Sequence, residues 1–309
     1  NQVIHPEIMM RRRTVLALTL VVVVIIGIGM LAVSLHYNYI QLQPGLRGNV
    51  NSNANANKIG VVVTILPEAD FVRHVGGDRV EVMVMVPPGA SPHIYEPRPE
   101  QLKQISTAKI YFKVGSGLGL EQNWLEKISA INPAIKIVDT SKGITIIDND
   151  PHIWNSPANA KIMVMNIRDA LTQTDPENAD FYINNARDYL RELDALDAYI
   201  HSKLDRFNNR AFMIYHPSFG YLAAQYNLTQ IPVEHGGKEP TARVIQDCID
   251  NARRYNLHYV FVAPQFATTE CETIAKEIGG ETAPMDPLPA NYTANMYKIA
   301  DLLAEEFAG

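Results

Sequence analysis

Residues 86–99 read VPPGASPHIYEPRP, a proline-rich loop that carries a single histidine, His93. The loop follows residues 80–86, where valine alternates with glutamate and methionine in a pattern typical of a β-strand. The prolines and Gly89 end that strand and stiffen the loop, so His93 lies on a restricted backbone that suits a ligand residue. One such histidine alone is more often a structural hydrogen-bonding group than a metal ligand. Its function therefore depends on the partners that the chain supplies.

The composition narrows the class of protein. The chain has 309 residues, enough for about two domains of roughly 150 residues each. A net charge of −6 argues against a general nucleic-acid binder, because no basic stripe offsets the repulsion from phosphates. The two cysteines, Cys248 and Cys271, exclude a disulfide-rich scaffold and a cysteine-based zinc cluster. Two interpretations stay open for them, a disulfide in an oxidising compartment or two buried free thiols.

The N-terminal segment predicts a membrane anchor. Residues 14–35 contain no charged residue and are long enough to cross a bilayer as a helix. Three arginines at 11–13 precede them, which places residues 1–13 in the cytoplasm and the folded region outside the cell. A cleaved signal is the alternative, but residues 32–34 (AVS) make a poor cleavage site, so an uncleaved, single-pass signal anchor is favoured. No cysteine follows the apolar run for lipid attachment, and the asparagine-rich residues 36–57 predict a flexible linker.

From residue 58 onward, apolar strand-like runs alternate with helical patterns. This alternation predicts an α/β fold with two lobes, 58–175 and 208–309, each a mainly parallel β-sheet flanked by helices. Between them, residues 176–207 predict a long backbone α-helix with apolar residues three or four positions apart. About thirty residues would make a rod of roughly 45 Å, which favours a rigid connection between the lobes. The alternative is an ordinary amphipathic helix packed on one domain.

Four residues share a position in this pattern. His93, His152, His216 and Asp286 each follow a predicted strand and each lies beside a proline. Open α/β sheets bind ligands at the carboxyl ends of their strands, so facing lobes would bring the four to one cleft. Three imidazoles and one carboxylate form a complete tetrahedral set for a divalent metal ion. A complete set suits holding a metal more than catalysis on a bound water.

Several segments resemble motifs of the zinc and manganese substrate-binding proteins of ABC transporters, the ZnuA/TroA-like group known as cluster A-I metal-binding lipoproteins. The resemblance extends from residue 58 to the C-terminus. It lies in residues 89–97 (GASPHIYEP), 150–157 (DPHIWNSP), 216–223 (HPSFGYLA), 237–240 (GKEP), 263–266 (APQF) and 285–288 (MDPL).

The resemblance implies a binding protein rather than an enzyme. It implies two lobes joined by a backbone helix, and metal ligation by His93, His152, His216 and Asp286. Family members with histidine at the third position favour Zn²⁺ and those with a carboxylate favour Mn²⁺, so His216 indicates zinc, with manganese as the alternative. The implied partners are a membrane permease and its cytoplasmic ATPase, and the protein is expected to act as a monomer. Residues 100–150 contain no histidine, so the His-rich loop of many zinc-binding members is absent.

Some features allow a second interpretation. Glu239 is a candidate to fix an imidazole tautomer, or an ordinary acidic residue at a helix start, and His235 is a candidate for the cleft lining. Residues 115–119 (GSGLG) resemble a phosphate loop only superficially and predict a plain strand-to-helix turn. A zinc hydrolase with Glu239 as general base is the alternative from another class, although no HExxH pair occurs. An adhesin or metal chaperone on the same fold is a further alternative.

Overall fold

Two parallel sheets form the framework of the computed structural model, which describes residues 58–147, 150–266 and 269–309. The elements of the first sheet come in strict alternation with helices. They are β1 (Ile59–Val63), α1 (Leu66–Gly76), β2 (Val80–Val84), α2 (Pro99–Ile105), β3 (Ile110–Lys113), α3 (Gly119–Ile131) and β4 (Lys136–Asp139).

Two long helices follow before the second sheet begins. They are α4 (Pro157–Thr174), whose N-terminus is capped by the Ser156 hydroxyl, and α5 (Ala179–Leu204). The remaining elements again alternate. They are β5 (Ala211–Ile214), α6 (Gly220–Tyr226), β6 (Thr229–Pro232), α7 (Ala242–Tyr255), β7 (Tyr259–Val262), α8 (Thr269–Ile278), β8 (Glu281–Pro284) and α9 (Tyr292–Ala308).

The two sheets have the same strand order. The first runs β2-β1-β3-β4 and the second β6-β5-β7-β8, and every neighbouring pair is parallel. In both sheets the first strand in the sequence lies inside and the second lies at the edge. The predicted α/β class, with two parallel sheets flanked by helices, is confirmed. The carboxyl ends of all strands in a sheet share one edge, where ligands bind in such folds.

Side-chain alternation along the strands divides the interior into three parts. Val61 and Val63 join the largest core, whereas Val62 packs with helices α2 and α3 on the other face of the sheet. In the second sheet, Phe212 joins the largest core and Met213 packs with α7 and α8. The largest core therefore contains residues from both sheets, together with helices α1, α4, α5, α6 and α9.

Helix α5 divides the described chain into a first half, which contains the sheet β1–β4, and a second half, which contains the sheet β5–β8. It connects the two halves through this shared core. Its 26 residues span about 39 Å, and it packs against α1 and α4 on one side and against α9 of the second half. The alternative of a helix packed on one domain is therefore wrong. The predicted start at Pro176 is instead a short 3-10 turn, Pro176–Asn178, and the helix ends at Leu204 rather than at 207. Its buried residues recur three or four positions apart, as predicted. They are Tyr182, Ala186, Tyr189, Leu193, Leu196, Ile200 and Leu204.

Some expectations changed or stay open. The sequence pattern missed α6 and β6, and α7 starts at Ala242 with Thr241 as its capping residue rather than at Pro240. Cys248 and Cys271 are buried free thiols. The described residues between 58 and 309 belong to one compact unit, and the lobe boundaries at 175 and 208 stay predictions. The predicted anchor and linker, residues 1–57, lie outside the described residues; within the described ranges, no helix combines the length and apolar character of a membrane span.

Candidate metal centre

Three histidines from separate loops meet at one point. The Nε2 atom of His152 lies 3.2 Å from Nε2 of His93 and 3.3 Å from Nε2 of His216. A tetrahedral zinc ion with Zn–N bonds of about 2.0–2.1 Å separates its nitrogen ligands by about 3.3–3.4 Å. The imidazole spacing therefore matches a tetrahedral metal site. Among the described residues, these three form the group of His, Cys, Asp and Glu side chains whose ligand atoms all lie within 4.8 Å of one another.

Asp150 holds His152, the most buried of the three histidines. The Nδ1–H of His152 donates to Asp150 Oδ1 over 2.8 Å, and the backbone N–H of His152 donates to the same oxygen over 3.0 Å. A proton on Nδ1 leaves the lone pair of Nε2 free for a metal ion. The His152 ring also contacts Trp154 edge to face, at 5.4 Å between centroids. Asp150 and His152 are two residues apart, so the hydrogen bond that orients the His152 ring lies within one loop.

Glu234 holds His216 in the same way from a more distant part of the chain. The Nδ1–H of His216 donates to Glu234 Oε2 over 2.6 Å, and Glu234 is only 3% exposed. Its other oxygen accepts the backbone N–H of Gly237. Glu239, the candidate to fix an imidazole tautomer, and His235, the candidate for the cleft lining, are both exposed, and the carboxylate that bonds His216 is Glu234. The physical reason is that β6 ends beside β5 and directs Glu234, the second residue after it, towards His216.

The loop between β3 and α3 positions His93. Helix α3 begins at Gly119, where a Cβ atom would overlap the carbonyl oxygen of His93. The N–H of Leu120 donates to the carbonyl of Pro92 over 3.1 Å. The Ser116 hydroxyl in the same loop donates to the carbonyl of Pro151, directly before His152. Residues 115–119, predicted as a strand-to-helix turn, therefore contact both ligand loops of the first half.

Two buried carboxyl groups lie beneath that turn. Glu121 accepts the backbone N–H groups of Val114 over 2.7 Å and Gly115 over 3.0 Å, and the Thr64 hydroxyl over 2.6 Å. Glu68 accepts the N–H of Thr64 over 3.1 Å. Burial raises the pKa of Glu121, and burial together with the Glu121 charge raises the pKa of Glu68 well above its ordinary value. These bonds fix the carboxyl ends of β1 and β3 under the ligand loops.

The environment favours the neutral form of two ligands. Burial, followed by the charges of His152 and His216, lowers the pKa of His93 from 6.5 to about 4. Burial also lowers the pKa of His216, although its hydrogen bond to Glu234 opposes this shift. Metal ions bind the neutral imidazole, so both shifts favour metal binding at neutral pH.

Asp286, the predicted fourth ligand, lies beside the cluster and not within it. It follows β8 by two residues, as expected, but its carboxylate is not in the group of ligand atoms within 4.8 Å. Its Oδ1 accepts the backbone N–H of Leu288 over 2.9 Å and the Nε2–H of Gln265 over 3.2 Å. Both Gln265 and Leu288 line the pocket that contains the three imidazoles. Ligation by Asp286 stays a prediction.

Hydrogen bonds join the two halves next to the imidazoles. Trp154 Nε1–H donates to the carbonyl of Pro287 over 2.6 Å, and the Asn155 amide donates to the carbonyl of Ser218 over 2.8 Å. Trp154 and Pro287 also line the pocket. The loop that carries His152 is therefore attached directly to the loops that follow His216 and Asp286. The cluster is preorganised across both halves.

The supporting residues were missed for two different reasons. Asp150 stands two positions before His152 in the quoted DPHIW motif, and a carboxylate so close to a candidate ligand was a usable signal. Glu234 has no local signal, because it approaches His216 from 18 residues away through the β5–β6 pairing. The sequence pattern missed β6 and therefore also missed this residue.

Comparison with known proteins agrees with this site. The family described as "Zinc-uptake complex component A periplasmic" matches residues 61–306. The chain is 26% identical over 255 residues to the high-affinity zinc uptake system protein ZnuA of Bacillus subtilis (strain 168), covering 75% of this chain and 79% of that protein. It is 26% identical over 263 residues to the zinc-binding protein AdcA of Streptococcus pyogenes serotype M1, covering 75% of this chain. This alignment spans 50% of the streptococcal protein.

Solved structures share the fold over most of the described chain. A crystal structure of ZnuA superposes with a TM-score of 0.78 at 40% identity, covering 81% of this chain and 99% of that one. The metal-dependent lipoprotein YcdH from Bacillus subtilis superposes with a TM-score of 0.72 at 26% identity, covering 82% and 100%. The family consists of metal-binding transport receptors and not of enzymes. Since the family match covers almost the whole described region, the chain belongs to the zinc-uptake complex component A family, whose members are zinc-binding solute-binding proteins.

Proposed function

We propose that this protein is the substrate-binding component of a metal-uptake ABC transporter, which captures Zn²⁺ outside the membrane and delivers it to a permease. The observation that carries the proposal is the convergence of three imidazole Nε2 atoms at spacings that suit tetrahedral zinc. Two of the rings are oriented by buried or half-buried carboxylates, an arrangement typical of metal-binding histidines. The zinc ion is the transported substrate, not a resident cofactor.

The donor set favours zinc over manganese. Imidazole nitrogen suits Zn²⁺, whereas Mn²⁺ prefers oxygen ligands. We infer that Asp286 completes the set as the fourth ligand when metal is bound. Its carboxylate accepts hydrogen bonds from Gln265 and Leu288, and both of these residues line the pocket. The hydrolase alternative is not favoured. Asp150 and Glu234 bond the Nδ1 sides of the rings, and Glu239, the candidate general base, is exposed.

The direct test is a metal competition on the full chain after removal of metal with a chelator. The wild type should bind one zinc ion tightly and prefer it to manganese. His216→Ala should lower zinc affinity about 100- to 1,000-fold, because one ligand supplies roughly a quarter of a binding free energy of about 10–16 kcal/mol. His201→Ala, which replaces an exposed histidine on α5, is the matched control and should bind zinc as the wild type does. A wild type without tight zinc binding would contradict the proposal.

The proposal includes attachment to the membrane through residues 14–35 as a signal anchor, with the metal-binding region outside. The basis is the uncharged run behind the three arginines at 11–13. Full-length protein should fractionate with membranes and resist carbonate extraction, and protein lacking residues 1–57 should be released.

Delivery to a permease is tested by zinc accumulation in cells that carry the wild type or His216→Ala. Equal accumulation in both would contradict the transport role.

A further inference from the structure

Gln265 lines the pocket but is not one of the four proposed metal ligands. It follows β7 by three residues and lines the pocket together with the three histidines. Its neighbour Phe266 stacks on the His216 ring, at 4.7 Å between centroids and 28° between planes. This stacking places the backbone of Gln265 next to the third imidazole. The side chain of Gln265 therefore lies among groups that we propose to hold a metal ion.

The orientation of the Gln265 amide follows from its partner. Its Nε2–H donates to Asp286 Oδ1 over 3.2 Å. An ionised carboxylate only accepts hydrogen bonds, so the NH₂ group and not the carbonyl oxygen of the amide faces Asp286. The backbone N–H of Leu288 donates to the same carboxylate oxygen over 2.9 Å. Within the described part of the chain, Gln265 is thus one of two groups that bond the Asp286 carboxylate, and the Asn295 amide donates to the Asp286 backbone carbonyl over 2.8 Å.

The other end of the amide has no hydrogen-bond partner within the described part of the chain. Gln265 Oε1 is buried, and it is one of five buried side-chain polar atoms there without one. Buried carbonyl oxygens in folded proteins are almost always paired, so an unpaired one in a ligand pocket indicates a partner that arrives with the ligand. Amide oxygens are established ligands of divalent cations and accept hydrogen bonds from water bound to them.

We propose that Gln265 belongs to the metal site. Its amide nitrogen positions Asp286. Its buried carbonyl oxygen binds the cation or accepts a hydrogen bond from water bound to the cation. The inference rests on the proposed zinc-binding function and adds a residue to it. Because a neutral oxygen donor is harder than imidazole, Gln265 also influences the preference between Zn²⁺ and Mn²⁺.

The test compares Gln265→Leu and Gln265→Glu with the wild type in the full chain after chelator treatment. Gln265→Leu should lower zinc affinity about 10- to 100-fold, the usual range for groups that support metal ligands. The melting temperature of the metal-free protein should change little, because the removal of a buried unpaired acceptor offsets the lost hydrogen bond to Asp286. Gln265→Glu adds a charged oxygen and should shift the zinc-to-manganese affinity ratio towards manganese. Gln246→Leu, on the exposed face of α7, is the matched control.

A spectroscopic measurement separates a role at the metal from a role in folding. Cobalt(II) bound in place of zinc should give an altered ligand-field spectrum in Gln265→Leu and an unaltered one in Gln246→Leu. If Gln265→Leu binds zinc with wild-type affinity and leaves the cobalt spectrum unchanged, the assignment of Gln265 is overturned while the proposed function stands. If the wild type itself fails to bind zinc, both are overturned.

Discussion

The two halves of the molecule have sheets of identical strand order, yet they support their proposed metal ligands differently. In the first half, Asp150 orients His152 from two residues away, and the turn at residues 115–119 contacts both ligand loops. In the second half, Glu234 orients His216 from 18 residues away, through the pairing of two strands. One half is thus organised by short-range contacts and the other by its sheet. The same imidazole geometry arises from both.

Among the changes that test this comparison between the halves, removal of these two carboxylates should have the largest effect. Asp150→Ala and Glu234→Ala should each lower zinc affinity about 10- to 100-fold, because each ring loses the acceptor that fixes its tautomer. Glu234 also accepts the N–H of Gly237, so only Glu234→Ala should increase backbone hydrogen exchange at residues 235–238. Isothermal titration and hydrogen exchange measure these effects.

Two kinds of control accompany these alanine variants: amide variants that keep an acceptor oxygen, and an alanine variant at an exposed carboxylate. Asp150→Asn and Glu234→Gln keep an acceptor oxygen and should recover part of the affinity. Glu239→Ala changes an exposed carboxylate and should bind zinc as the wild type does. Wild-type affinity in both alanine variants would show that ring orientation does not depend on these carboxylates.

A smaller effect should come from the glycines that begin α3 and α6, one in each half. A Cβ at Gly119 would overlap the backbone carbonyl of His93, whereas a Cβ at Gly220 would overlap the Asp150 carboxylate. A Cβ at Gly119 would therefore displace the His93 loop, whereas a Cβ at Gly220 would displace the carboxylate that orients His152. Gly119→Ala should lower zinc affinity about tenfold, since overpacking of this kind costs about 1–3 kcal/mol. Gly220→Ala should lower it by a similar factor, because the His152 ring loses the acceptor that orients it.

Gly60→Ala is the matched control for these variants. A Cβ at Gly60 would meet no atom closer than 3.5 Å, so zinc affinity should stay at the wild-type value. Competition with a fluorescent chelator gives the three affinities under one condition. Wild-type affinity in Gly119→Ala or Gly220→Ala would show that the neighbouring histidine does not depend on this close packing.

The last expected effect is on the stability of the metal-free protein at mildly acidic pH and not on zinc affinity. The pKa of His93 is lowered from 6.5 to about 4, so below pH 6.5 the unfolded chain takes up a proton that the folded chain does not. Stability should therefore decrease as the pH falls from 6.5 towards 4, by about 2 kcal/mol at pH 5. Thermal denaturation at several pH values measures this change, and His93→Gln should reduce it. A metal-free protein as stable at pH 5 as at pH 7 would contradict the lowered pKa.

Regular valine- and isoleucine-rich runs made most of the fold predictable, including both sheets and the buried face of α5. The predictions failed at β6, whose residues 229–232 (TQIP) are partly exposed at a sheet edge and end in proline. They also failed at α6, whose seven residues are too few for a clear helical period. Both failures lie around His216, in the half where the site depends on strand pairing. The three histidines could be named because each stands in a recognisable loop motif.

What can be read directly from the amino acids is the donor chemistry, because it belongs to each residue: three imidazoles and one carboxylate, each beside a proline. The tertiary structure decides distances between segments far apart in the chain. It brings His93, His152 and His216 together, makes Glu234 the hydrogen-bond partner of His216, and leaves Asp286 bonded to Gln265 beside the cluster. Such contacts depend on which strands pair and which loops share a sheet edge. A linear pattern of residues does not encode these relations locally.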